Sequence, residues 1–156
     1  MSNKTKNVLK TVLYSLIIIV LAMFGSMGSK EYYSTLNLPK GAPPSWLFPV
    51  AWGIIYTLII IAAIIIVIKA KDGMYKKDAI SFYYTQLLVN AFWPYLFFVF
   101  KTPLLAFLWL ILLLVLVVIN ALKFYNLNKI SGYLYIPYIL WLLYAGYINL
   151  FVALLN

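Results

Sequence analysis

Apolar residues in this 156-residue chain gather in five long runs separated by short polar breaks; they neither alternate with polar ones nor trace a narrow helical stripe. About 20 consecutive apolar residues cross a bilayer core of roughly 30 Å. The pattern therefore predicts a single all-α integral membrane domain, 1–156, with spans near 11–28, 45–68, 79–100, 102–122 and 132–155. Connections are short except the first, 29–44. The first run has a second reading. Lys4, Lys6 and Lys10, then an apolar stretch and "GSMGS", also fit a secretory leader.

Composition strengthens the membrane reading. Hydrophobic residues make up 66% of the chain and charged ones 10%, against about half and roughly a quarter in soluble domains. The net charge of +9 comes from 12 lysines and 3 acids. Arginine, the preferred bidentate phosphate reader, is absent, so the lysines read as topology markers and headgroup contacts rather than a nucleic-acid surface. Nine lie at the N-terminus and around the second and fourth connections; Lys30, Lys40 and Lys101 lie on the other side. The positive-inside rule then places the N-terminus in the cytoplasm, with the first loop and the C-terminus outside. Abundant lysine, isoleucine and asparagine without arginine suggest an AT-rich bacterial genome and a cell (inner) membrane.

With no cysteine and no histidine, disulfides, thiol catalysis, zinc–thiolate sites and the usual haem ligands are excluded. Only Glu31, Asp72 and Asp78 carry carboxylates, all outside or at the ends of the spans. That leaves no paired-carboxylate centre, no intramembrane proton relay and no ion-coupled transporter.

Polar side chains within a span call for a reason. On the second span Pro49, Trp52 and Tyr56 share one helical face, with Ser45 as the expected N-cap and Trp46 at the interface. The third carries Gln86, Asn90, Trp93 and Phe97 on one face, and Pro94 frees the carbonyl of Asn90. Asn90 fits interhelical glue and a ligand site equally well. On the fifth, Tyr138, Trp141, Ala145 and Asn149 align. The fourth is apolar until Asn120 and is assigned to lipid or a partner. Brought together, the three aromatic faces would line an uncharged cavity suited to a flat, apolar ring system.

The stretches "YYSTLNLPKGAPPSWLFPVAWGIIY", "QLLVNAFWPYLFF" and "PYILWLLYAGYIN" resemble the TspO/translocator protein family, also called tryptophan-rich sensory proteins or peripheral-type benzodiazepine receptors. The resemblance implies a five-helix bundle, commonly a homodimer, with the first loop as a lid over a cavity. It implies no required cofactor, with porphyrins such as protoporphyrin IX, isoquinoline carboxamides and benzodiazepines as ligands. Function would be that of a porphyrin sensor or carrier; alternatives are light- and oxygen-dependent porphyrin breakdown, or uncoupled transport of porphyrins or lipids. Trp52 and Trp141 match the tryptophans tied to that breakdown. Asn90, Trp93 and Ala145 match cavity positions, and Tyr32 a loop aromatic. With Pro44, Trp46, Tyr56, Phe97 and Tyr138 these make the candidate ligand set. Pro39, Pro43 and Pro44 stiffen the lid, and Lys30 and Lys40 could meet porphyrin propionates. Two departures stand out: Tyr32-Tyr33 replaces a common Trp-Tyr, and no basic residue follows Tyr147, which counts against cholesterol.

Overall fold

The computed structural model describes residues 2–156, and these are helical with no strand among them. In order come α1 (Asn3–Gly25), α2 (Ser29–Ser34), α3 (Leu47–Lys69), α4 (Met74–Pro94), a π-helical turn (Tyr95–Val99), α5 (Pro103–Leu127), α6 (Lys129–Tyr133) and α7 (Ile136–Leu155). α1, α3, α5 and the stretch Lys129–Leu155 are long and apolar enough to cross a membrane. α4, the third predicted span, is more polar: Lys76, Lys77 and Asp78 sit in its first turns and Gln86 and Asn90 within it. It packs inside the bundle, against α1, α3 and α5, where Asn90 and the Gln86 carbonyl oxygen find partners and Gln86 Nε2 does not.

Helix ends depart from the hydropathy pattern for local reasons. α1 starts well before residue 11 because the Ser2 side chain accepts from the Thr5 N–H and caps the helix ahead of the lysines. α5 runs on to Leu127, so Lys123 is helical rather than in a connection, and it pairs with Asp78 of α4. Lys76 satisfies the end of α3, its ammonium donating to the carbonyls of Val67 and Ala70 and to Asp72.

α1 is a structural member of the bundle. It buries Thr11, Ser15, Ile18, Ala22 and Gly25, and the Ser15 and Tyr83 hydroxyls share a hydrogen bond of 2.7 Å. Gly25 permits a close approach: a Cβ there would stand 2.6 Å from the Tyr95 ring, whose hydroxyl donates to the Leu21 carbonyl at 2.8 Å. α5 corrects an expectation. Its Leu104, Leu108 and Leu112 do face outward, but Ala106, Leu110, Leu113, Val117, Asn120 and Phe124 are buried against α4 and α7. The apolar run concealed a core face because that face is apolar too.

At the end where α3 finishes and α4 begins, packing is dense. Ile59, Ala62, Ala63 and Ile66 of α3 and Ala79 and Tyr83 of α4 are fully buried. Asn120 donates to the Ala79 carbonyl at 3.0 Å and accepts from the Tyr135 hydroxyl at 2.6 Å. At the other end the first loop, with α2, folds over the bundle. The Tyr144 and Tyr147 hydroxyls of α7 donate to the carbonyls of Gly41 (2.7 Å) and Lys40 (3.0 Å). Asn37 and Asn156 exchange two more hydrogen bonds. Lys101 lies 5.3 Å above the Tyr32 ring.

Candidate functional site

Beneath the loop lies a cavity of about 610 Å³, within the range of roughly 300–1,000 Å³ usual for small-molecule sites. α3 supplies one wall with Phe48, Pro49, Trp52, Gly53 and Tyr56; these follow the helical repeat the sequence displays. α4 supplies Asn90, Trp93 and Pro94, and the π-helical turn adds Phe98. Ser29, Lys30 and Tyr33 of α2 form the roof, with Ser45 and Trp46 at the rim. Lys30 is the one charged side chain among the described lining residues.

The α1 wall of Ile19, Ala22, Met23 and Ser26 was not foreseen. Its signal exists, since these residues, with Ser26 the C-cap of α1, stand at i, i+3, i+4 and i+7, but where the helix is apolar on every side one face does not announce itself.

Of the candidate ligand set, Trp46, Trp52, Tyr56, Asn90 and Trp93 line this cavity. Trp141 and Ala145 do not. With Phe48, Trp52 and Trp93 they border a void of only about 10 Å³ behind it. The two indoles nevertheless meet: Trp52 and Trp141 lie edge to face, centroids 6.4 Å apart, and Trp52 also stacks on Tyr56 at 5.4 Å. Phe97 is buried, stacked on Trp93 at 5.2 Å. The π-helical turn, closed by the Phe100 N–H donating to the Tyr95 carbonyl, inserts one extra residue per turn. At this turn Phe98 borders the cavity, while Phe97 lies outside the lining.

In the loop, Tyr33 faces the cavity while Tyr32 packs edge-on against Phe97. Tyr33 donates to the Pro43 carbonyl at 2.8 Å, and burial, with Tyr144 nearby, pushes its pKa up to about 12. Pro44 is exposed and outside the lining; Pro39 and Pro43 are the buried prolines of the loop. Ser45 is not the cap of α3: Trp46 holds that position without a side-chain cap, and Ser45 borders the cavity instead. The Lys40 side chain is exposed and lies outside the lining.

The lining groups Tyr56 and Asn90 join a polar cluster behind the wall, where Tyr138 and Gln86 are buried outside the lining. Tyr56 donates to Asn90 Oδ1 at 2.8 Å, Asn90 Nδ2 donates to the Tyr138 hydroxyl, and Tyr138 donates to Gln86 Oε1 at 3.1 Å. Asn90 is thus glue and lining at once. Likewise Trp93 Nε1 donates to Asn149 Oδ1 at 3.0 Å, and Asn149 donates to the Pro103 carbonyl at 2.6 Å. With the Asn90 amide, the one side-chain amide among the described lining residues, bonded to Tyr56 and Tyr138, the cavity offers a guest mainly aromatic faces.

A multi-pass, all-α membrane protein with an internal aromatic cavity is thereby defined. The TspO/MBR family profile matches residues 11–155, and the chain belongs to that family. It is 30% identical to protein CrtK of Rhodobacter capsulatus over 92% of each chain. It is 31% identical to the tryptophan-rich protein TspO of Archaeoglobus fulgidus, over 96% of this chain and 99% of the other. To the translocator protein of Bos taurus it is 28% identical over 76% of this chain and 71% of the other.

Proposed function

We propose that this protein binds a porphyrin-like tetrapyrrole in the cavity beneath the first loop, as a sensor or carrier in a bacterial inner membrane with its N-terminus cytoplasmic. The supporting observation is the lining itself: Trp46, Phe48, Trp52, Tyr56, Trp93 and Phe98 surround about 610 Å³ that no carboxylate enters. Stacked and edge-on aromatic contacts suit a flat ring and discriminate little between its substituents. Lys30 at the roof is placed to meet an acidic edge that remains near water. Lys40 takes no part. Absorbance titration with protoporphyrin IX tests the reading: saturable binding at one site per chain, weakened in Trp52→Ala, is the expected result. Non-saturable partitioning equal in both proteins would refute it.

One contact favours a second reading, light-dependent breakdown of the bound porphyrin by oxygen. An excited ring at the cavity wall could take an electron from Trp52 and pass it to oxygen as superoxide, while the hole spreads to Trp141, in edge contact with that indole. The indole then regains an electron from the ring, and the ring cation combines with superoxide, so that one ring and one oxygen molecule give one adduct with both indoles restored. Under illumination in air, a discrete product that disappears in Trp141→Phe supports turnover; bleaching alike in both proteins opposes it.

A further inference from the structure

The cavity is unevenly enclosed. On the inner side Ala22, Asn90 and Trp93 are buried, whereas Met23 and Trp46 are each 64% exposed, and Pro49 and Gly53 are exposed as well. Apart from roof residue Lys30, the exposed lining residues belong to α1 and to the start of α3. Ile19 stands six residues from the end of α1 and Gly53 six from the start of α3. At 1.5 Å per residue both lie roughly 9 Å below the loop end of their helices. Below that level the core closes, with Ile18, Ile55 and Ile59 buried. α1 and α3 therefore border a slot that begins beneath the loop and descends into the apolar zone.

Gly53 marks the slot's depth. No atom lies within 4 Å of the place its Cβ would occupy, so close packing does not demand a glycine there. Mid-helix glycine is destabilising relative to alanine, and its one visible effect here is to leave width. The roof is the opposite case. Tyr144, Tyr147, the Asn37–Asn156 pair and the Asn37 amide on the Leu155 carbonyl fasten it to α7, and lifting it would break five hydrogen bonds.

We infer that the ligand enters and leaves sideways, from the acyl layer through the slot between α1 and α3, with Gly53 as its threshold and the loop still fastened. The inference rests on the cavity being a ligand site. A flat ring would pass edge-on between Ile19 and Met23 on one side and Pro49 and Gly53 on the other. Its acidic edge would remain at the interface beside Lys30, where charge is least costly.

The test uses the full chain in lipid nanodiscs and follows quenching of tryptophan fluorescence by protoporphyrin IX delivered from lipid vesicles. Gly53→Leu is expected to slow association and dissociation by similar factors of about 10 or more, because a plug obstructs both directions. Met23→Trp narrows the slot from α1 and should act alike, so the test does not hang on one variant folding. Since the chain has no cysteine, Asn37→Cys with Asn156→Cys can be joined by a short bifunctional maleimide to lock the loop down. Loading through the locked loop at a rate within about twofold of the unlinked protein is the expected outcome. Loading that stops on cross-linking, or that ignores both slot variants, overturns the lateral route while leaving the binding site intact. A slot variant that lowers affinity through association alone also overturns it, because a wall residue and not a threshold would then have been changed. Absence of saturable quenching in the unaltered protein would instead remove the ligand reading, and the route with it.

Discussion

The two ends of the bundle use the same helices to opposite effect. Toward the end of α3, alanines at 62, 63 and 79 let backbones approach, and Ser15, Tyr83, Asn120 and Tyr135 satisfy one another's polar groups; nothing is left over for a guest. Toward the loop, Trp52, Trp93 and Phe48 fill the same inter-helix space with rings that cannot interdigitate completely, and Pro94 with its π-helical turn redirects α4. Small residues with paired amides yield a closed core; large rings with a helix break yield a hollow. The difference lies in side-chain volume and backbone regularity rather than in polarity, since both ends are mostly apolar.

The sharpest way to break this contrast is one substitution made in both places. Ala62→Trp places an indole where nothing is exposed. It should destabilise the fold by about 3 kcal/mol or more, seen as a lost or sharply lowered melting transition in detergent. Ala22→Trp projects from the α1 wall into the cavity; it should fold normally yet weaken protoporphyrin IX binding by about 100-fold or more by absorbance titration. Equal stability loss in the two variants would mean that the hollow is not open space.

Next in size is Gly132→Ala. Its Cβ would stand 2.4 Å from Tyr125 Cβ and 2.7 Å from Tyr125 Cα, so backbone must move and roughly 1–3 kcal/mol should be lost; Gly53→Ala, inside α3 with open space around it, should instead melt slightly above the unaltered protein. Smaller again, Lys30→Ala should weaken porphyrin binding only a few-fold, as suits an exposed charge, and should flatten its dependence on salt. Smallest is a pH effect at the roof. Tyr33 ordinarily titrates near 10 and is raised to about 12, so its hydrogen bond to Pro43 is fully present below pH 10 and lost as pH rises through about 12. Protection of loop amides from hydrogen exchange, corrected for intrinsic rate, should therefore hold to pH 10 and fail above it. In Tyr33→Phe the protection should already be reduced at neutral pH.

Much of this was legible in the chain. The apolar runs marked the membrane-embedded helices, and the spacing of Pro49, Trp52 and Tyr56 identified the cavity face of α3, because a helical period survives wherever a helix stays regular. Phe97 and Phe98 both fall on the Asn90 face by the helical repeat, and spacing alone does not choose between them at the π-helical turn after Pro94. The α1 wall and the inner face of α5 were hidden for another reason. In a membrane protein the lipid side is as apolar as the core, so hydropathy does not tell inside from outside. Trp141, expected to line the cavity, stands behind its wall in edge contact with Trp52, a depth that residue spacing on one helix does not encode.

The most direct test of the central claim is a titration of protoporphyrin IX into the nanodisc-embedded protein, read by tryptophan quenching beside Trp52→Ala and Trp109→Phe. Trp109 lies outside the cavity, its Nε1 donating to the Val89 carbonyl at 2.8 Å. Saturation at one ligand per chain is expected, with affinity about 10- to 100-fold lower in Trp52→Ala and unchanged in Trp109→Phe. Equal affinities in all three proteins, or quenching that never saturates, would contradict it.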